Sequence, residues 1–191
     1  MTDATDRELI ALVAEGDRAA FTELMARTED MVFAVCMRIM GNRETARDAT
    51  QETFVTLFRK ADRYKGTAAV TTWLYRVTVN TCYDMLRKAK RRQADSLPDH
   101  VDPADPRGSD GFTSVELRGP VVEALRSLPE EFRTAVVLRD VEGLALTDVA
   151  EILEVPVGTV KSRVFRGRKL LAAELGNLQE GSERRRNDGD A

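Results

Sequence analysis

The spacing of apolar and polar positions predicts helices along nearly the whole chain. Thr5-Asp6-Arg7-Glu8 reads as a capping box ahead of Leu9, Leu12 and Val13, and Gly16 closes that short first helix. Asp17 suits the N-cap of a second helix, which carries Phe21, Leu24 and Met25, then Met31, Val32, Val35, Cys36 and Ile39, until Gly41-Asn42 stops it. A third helix is expected from Glu44 to Lys60, with Ala49, Thr53, Phe54, Leu57 and Phe58 on its core side. Asp48, Gln51, Glu52 and Val55 share a different side, a polar and acidic strip that either faces solvent or docks a partner; periodicity alone favours solvent. The pattern breaks over residues 61–71 around Gly66, a loop holding Tyr64 and Lys65, and a long helix follows from Trp73 to about Arg92.

Residues 94–111, ADSLPDHVDPADPRGSDG, hold three prolines, two glycines and five aspartates with no hydrophobic period. This is the composition of a flexible linker, with a reach of up to roughly 60 Å when extended. Beyond it, Val115, Val121, Val122, Leu125 and Leu128 suggest a helix interrupted at Gly119-Pro120. Ser127-Leu128-Pro129-Glu130 then reads as a second capping box, with Phe132, Ala135, Val136 and Leu138 to Val141 turned inward and Gly143 ending the helix.

In LTDVAEILEVPVGTVKSRVFRGRKLLAAEL, Leu146, Val149, Ala150 and Leu153 form one buried stripe with Thr147 as the expected N-cap, and Val155-Pro156-Val157-Gly158 is the hinge. In the following helix Val160, Val164, Gly167, Leu171 and Leu175 fall on one side, and Lys161, Ser162, Phe165, Arg166 and Lys169 on the other. This is a helix-turn-helix. The fold class expected is all-α: a helical domain over 1–93, a flexible acidic linker over 94–111, a second helical domain with the helix-turn-helix over 112–178, and a polar, disordered tail over 179–191.

A net charge of -3 on 191 residues does not by itself suggest a nucleic-acid partner, but its partition does. Residues 63–93 carry a net +7 and residues 161–191 a net +3, whereas 1–62, 94–111 and 112–160 are each acidic. Two basic islands on an acidic body imply two separate contacts with a polyanion. Cys36 and Cys82 both lie within helical patterns, which argues for small buried residues in a reducing cytoplasm rather than a disulfide framework. One histidine, His100, and no clustered ligand set leave no metal site, no cofactor site and no general base, so an enzyme is not expected. No apolar run is long enough to span a membrane.

The two basic islands differ in character. Along the long helix Arg76, Asn80, Tyr83, Arg87 and Lys90 or Arg91 recur on one strip, with Tyr64 and Trp73 close by in sequence. Aromatics among cations suit the stacking of unpaired bases, worth ~1 to 3 kcal/mol per base. From Lys161 to Lys169 there are five basic residues and no acid. There Arg166 suits a guanine edge, Ser162 either base of a pair, and Phe165 a thymine methyl, which is the chemistry of duplex reading. A free-standing helix-turn-helix repressor would leave the first lobe without a role, and a nucleic-acid-processing enzyme would need a carboxylate cluster for metal; Asp48, Glu52 and Asp84 are more simply solvated or docking residues.

Taken in order, DATQETFVTLFRKADRYKG, TTWLYRVTVNTCYDMLRKAKRR, LRSLPEEFRTAVVLRDVEGL and LTDVAEILEVPVGTVKSRVFRGRKLL cover nearly the whole chain. In these strings and their spacing the chain resembles a bacterial RNA polymerase sigma factor of the extracytoplasmic-function group, in the sigma-70 family. The resemblance implies a cytoplasmic, non-catalytic initiation subunit of the stress-response kind. It implies that Asp48, Gln51 and Glu52 grip the clamp helices of the largest subunit of core RNA polymerase, reversing the preference for solvent. It further implies that Tyr64, Lys65 and the loop to Thr71 hold a base flipped from the minus-ten element, beside a strip of Trp73, Arg76, Asn80, Tyr83 and Arg87. Lys161, Ser162, Phe165 and Arg166 match the readers of minus-thirty-five promoter DNA, with Thr159, Arg163, Arg168 and Lys169 as phosphate contacts. An anti-sigma factor covering the polymerase-binding faces is also implied, as is a linker that runs through the polymerase.

Overall fold

A computed structural model describes residues 4–95 and 119–187, which form two compact all-helical units with no strand among the described residues. The core of the acidic linker, Val115 and residues 188–191 lie outside them.

In the first unit, α1 (Asp6–Ala14) opens with the expected capping box. The Glu8 N–H donates to Thr5 Oγ1 at 3.3 Å and the Thr5 N–H donates to Glu8 Oε2 at 2.7 Å. The Thr5 backbone N–H, and then its hydroxyl, hold the Glu8 carboxyl below its ordinary range. α2 (Arg18–Met40) starts at Asp17, whose Oδ1 accepts the N–H groups of Ala19 and Ala20 at 2.8 and 3.0 Å. It stops at Gly41, which takes the left-handed conformation at φ 71°. Asn42 then caps α3 (Arg43–Lys60) by accepting from Glu44 and Thr45. A 3₁₀ turn at Ala61–Arg63 and a loop lead into α4 (Val70–Asp95), which begins three residues before Trp73.

Leu24, Val32, Val35 and Ile39 of α2, Ala49 and Leu57 of α3 and Leu74 and Val79 of α4 form the core. Each large apolar side chain buried there contributes ~1.5 to 3 kcal/mol. Four threonines enter without an unmet hydroxyl, because Thr28, Thr50, Thr53 and Thr78 each donate to the carbonyl four residues back, at 2.7 to 2.8 Å. Phe58, expected in the core, is instead 38% exposed and packs edge-on against Phe21 at the margin, with ring centroids 5.2 Å apart. Cys36 and Cys82 are both fully buried, α2 against α4, with their sulfurs 3.7 Å apart. The hydrogen bond with Cys36, reinforced by burial, pushes the Cys82 thiol far up.

The second unit departs from expectation at its helix starts. α5 (Gly119–Ser127) includes Gly119 and Pro120, and the residues before them, on which the expected interruption turns, lie outside the described ones. The capping box at Ser127 is absent: Ser127 Oγ donates back to the Ala124 carbonyl at 2.8 Å, and α6 (Glu130–Val136) starts behind Pro129 with no side-chain cap. Arg133, buried, closes the corner by donating from Nη2 to the carbonyls of Arg126 and Leu128 at 2.7 and 3.0 Å. After α6 the chain widens into a π-helical turn at Val137–Val141. The wider turn rotates the side chains, so Leu138 is buried as expected whereas Asp140 is exposed and Val141 is 39% exposed.

α7 (Leu146–Leu153) buries Val149, Ala150 and Ile152 and leaves Leu146 and Leu153 half-buried. Its N-cap is Ala145, so Thr147 sits inside the helix and caps nothing. The turn falls one residue earlier than the hinge read from Pro156 and Gly158. Glu154 takes the left-handed conformation (φ 53°, ψ 42°), which costs a non-glycine residue ~1 to 2 kcal/mol, and Val155 N–H reaches the Ala150 carbonyl at 3.1 Å. Val157 and Gly158 already belong to α8 (Val157–Asn187), whose first free amides, Thr159 and Val160, donate to the Pro156 carbonyl. α8 runs on to Asn187, into the stretch from residue 179 expected as a polar tail, where Gln, Glu and Arg are strong helix formers.

Candidate nucleic-acid interface

α8 has the two sides its periodicity requires. Val160, Val164 and Gly167 are buried, and Gly167 lies so close to α6 that a Cβ there would stand 2.6 Å from Val136 Cγ2 and 3.1 Å from the Phe132 carbonyl oxygen. On the opposite side Lys161, Ser162, Phe165, Arg166 and Lys169 are exposed, Phe165 to 71%. One exposed ring is ordinary on a protein surface. A ring at the centre of an acid-free cationic face complements a thymine methyl flanked by phosphates.

The five basic residues of this stretch divide into two sets. Arg163 Nη2 pairs with Glu131 Oε2 at 3.1 Å, and Arg168 forks onto Asp140, from Nε at 2.9 Å and Nη2 at 2.5 Å. The Asp140 hydrogen bonds, and then its charge, raise the Arg168 guanidinium above its ordinary value. These two brace α8 against α6 and the π-helical turn. Lys161, Arg166 and Lys169 make no ion pair among the described residues. The Ser162 hydroxyl donates to the Thr159 carbonyl at 2.8 Å, leaving its lone pairs to accept, and Thr159 is half-buried.

In the first unit the loop after α3 makes a second site. Tyr64 is half-buried, donates its hydroxyl to the Ala68 carbonyl at 2.6 Å and leans on Trp73, with ring centroids 5.8 Å apart at 58°. Beside them opens a cavity of about 410 Å³. Lys65, next in sequence to Tyr64, is exposed, and Gly66 turns the loop at φ 70°. Along α4 the basic strip is graded rather than uniform: Asn80 and Arg87 are exposed, while Trp73, Arg76 and Tyr83 are half-buried. Arg87 is paired with Asp84 one turn back. On α3, Asp48, Gln51 and Glu52 are exposed together with Val55, which is 41% accessible. Periodicity did not reveal that Asp6 and Arg7 of α1 line the Tyr64 cavity; nothing local to α1 signals a partner about 60 residues away.

The description of sigma-70 region 2 matches residues 24–92 and that of sigma-70 region 4 matches residues 118–171. The chain is 32% identical to the ECF RNA polymerase sigma factor SigW of Bacillus subtilis over 90% of its length and 97% of that protein's. The chain belongs to the extracytoplasmic-function (ECF) sigma factors. It is 35% identical to the ECF RNA polymerase sigma-E factor of Escherichia coli, over 87% of this chain and 92% of that one. Among solved structures it is similar to the sigma factor RpoE bound to the anti-sigma factor NepR from Bartonella quintana, with a TM-score of 0.67 and 25% identity, covering 82% of this chain and 96% of that one. It is also similar to CnrH in complex with the cytosolic domain of CnrY, with a TM-score of 0.64 and 26% identity over 90% and 97% of the two chains. As an alternative ECF sigma factor the chain directs transcription initiation, and its relatives are initiation subunits rather than catalysts. Among the described residues no helix is long and apolar enough to cross a membrane.

Proposed function

We propose that this ECF sigma factor recruits core RNA polymerase through α3 and reads its promoter twice, as duplex at minus-thirty-five and as melted strand at minus-ten. The observation that carries the reading is the outer face of α8, where Phe165 stands 71% exposed between the uncommitted cations Lys161, Arg166 and Lys169. Arg166 serves as the guanine reader and Phe165 packs on a thymine methyl, while Lys169, Thr159 and the braced Arg163 and Arg168 contact phosphates. At minus-ten, Tyr64, backed by Trp73 and followed by Lys65, lines the pocket for an unstacked base, and Arg76, Asn80, Tyr83 and Arg87 track the strand along α4. The half-burial of Trp73, Arg76 and Tyr83 supports a rigid wall, with Asn80 and Arg87 as its exposed contacts.

Asp48, Gln51, Glu52 and Val55 form the polymerase-facing side of α3, an apolar residue ringed by polar ones. Polymerase holds the two units at a fixed separation, so two weak DNA contacts act together through effective concentration, and free sigma binds promoters poorly. Stacking of flipped bases offsets an unpairing cost of a few kcal/mol and nucleates the bubble. The protein works in the cytoplasm, and an anti-sigma factor is the expected regulator, as in the complexes of RpoE with NepR and CnrH with CnrY. The test is permanganate footprinting of holoenzyme on host promoters: Asn80→Ala is expected to reduce opening while leaving core affinity intact. Arg166→Ala should cost ~1 to 3 kcal/mol of minus-thirty-five discrimination. A fall in core affinity for Asn80→Ala, or an equal loss on every sequence for Arg166→Ala, would remove the corresponding role.

A further inference from the structure

The cavity beside the Tyr64 loop has a wall that comes from outside region 2. α1 precedes the residues matched to that region, 24–92, yet Asp6 and Arg7 line the cavity with Tyr64, Gly66, Ala69 and Thr71. The turn that presents them is held on two sides. The Thr5–Glu8 capping box fixes its start, and Arg27 Nη1 donates to the Ala4 carbonyl at 2.7 Å and to Asp6 Oδ1 at 3.3 Å. Arg7 lies over the loop: a Cβ on Gly66 would stand 2.7 Å from Arg7 Nη2. The φ of 70° favours glycine here, and the missing side chain leaves room for the guanidinium above it.

Arg7 is exposed and, among the described residues, makes no hydrogen bond or ion pair. The Tyr64 hydroxyl proton is already committed to the Ala68 carbonyl at 2.6 Å. Of the lining side chains, Arg7 offers a forked pair of donors and Asp6, beyond the oxygen that meets Arg27, a further acceptor in the same wall, with the Thr71 hydroxyl across from them in the lining. A carboxylate there repels phosphate and suits the N–H of a base. The cavity, about 410 Å³, falls at the small end of ligand clefts, which run from ~300 to 1,000 Å³.

We propose that Arg7, with Asp6 beside it, reads the hydrogen-bonding edge of the unstacked minus-ten base held in this cavity. The Arg7 guanidinium donates to a ring-nitrogen or carbonyl acceptor, and Asp6 accepts from the neighbouring N–H of the same base. The assignment rests on the reading of the Tyr64 loop as the minus-ten pocket. It makes Arg7 a specificity-determining residue supplied by a helix that the region 2 match does not include.

The experiment assembles holoenzyme from sigma-free core polymerase and the full chain, wild type or variant. Host promoter fragments that the wild type opens are randomised through the minus-ten element, and the fragments retained in open complexes are sequenced. For the wild type, a sharp preference is expected at an unstacked position. Arg7→Ala and Arg7→Lys should both flatten that one preference, by about 5- to 150-fold, with neighbouring positions and core affinity unchanged. Asp6→Asn should change which base is preferred there, because the amide offers a donor. A profile as sharp in Arg7→Ala as in the wild type overturns the assignment, whether open complexes are undiminished or fall equally on all sequences, as for a phosphate contact. A wild-type profile flat across the whole randomised element would overturn the pocket reading, and the role of Arg7 with it.

Discussion

Gly167→Ala places a methyl group where α8 and α6 meet most closely. In an exposed helix the change would gain about 0.8 to 1.0 kcal/mol of helix propensity. Here the new Cβ would stand 2.6 Å from Val136 Cγ2 and 3.1 Å from the Phe132 carbonyl oxygen, below ordinary contact distance to both. Val136 is β-branched and buried among Leu125, Val137 and Leu171, so it has little room to turn, and the carbonyl is part of α6. Overpacking of this kind costs about 1 to 3 kcal/mol, so the expected net effect is a loss of roughly 0.5 to 2 kcal/mol in the second unit. At this domain size each kcal/mol lowers Tm by about 4 to 8 °C. The two units can unfold separately, and the chain's single tryptophan, Trp73, reports only the first, so its fluorescence midpoint should stay fixed. Hydrogen exchange of the α6 and α8 amides reads the second unit. Val136→Ala on its own should destabilise, yet combined with Gly167→Ala it should recover about 1 kcal/mol relative to additivity. If Gly167→Ala instead stabilised the second unit by the propensity gain, the close packing that aims the outer face of α8 would be wrong.

Three further outcomes are expected. Phe165→Ala should change the stability of the second unit by less than ~0.5 kcal/mol, since the ring is 71% exposed, while weakening holoenzyme binding to minus-thirty-five DNA; a thermal loss of the ~3 to 5 kcal/mol typical of a core phenylalanine would contradict its placement. Asp48→Lys combined with Glu52→Lys should weaken core-polymerase affinity by at least roughly tenfold, about 1.4 kcal/mol, in a pull-down titration, with the Trp73 melt unchanged because both carboxylates are exposed. Cys82 remains a thiol in the folded unit while the unfolded thiol ionises near ~8.5, so its contribution to stability should be fully present below about pH 8.5 and decline as pH rises further. Urea midpoints from Trp73 fluorescence between pH 7 and 9.5 test this, and a midpoint that rises over that range would refute it.

Much of the fold is legible because its causes are local. Thr5 with Glu8, Asp17, Gly41-Asn42 and the Val160, Val164, Gly167 stripe each act within one or two helical turns, and the structure has them as the spacing predicts. What escapes periodicity depends on distant partners or on backbone that no residue type announces. Ser127 and Thr147 have capping chemistry but sit two residues away from the N-cap positions, Pro129 and Ala145, that the helices use. Glu154 occupies a left-handed position without being glycine or asparagine. Arg163 and Arg168 look like free cations along α8 until Glu131 and Asp140, about 30 residues earlier, arrive beside them. Arg7 belongs to the Tyr64 cavity only because α1 folds back over Gly66.

The central claim is that this chain reads promoters only as part of a polymerase. The most direct measurement mixes the purified protein with sigma-free bacterial core polymerase, follows comigration, and assays strand opening on host promoter fragments with and without core. Comigration together with opening that requires both components is the expected result. No association with core, with tight duplex binding by the free protein, would contradict it.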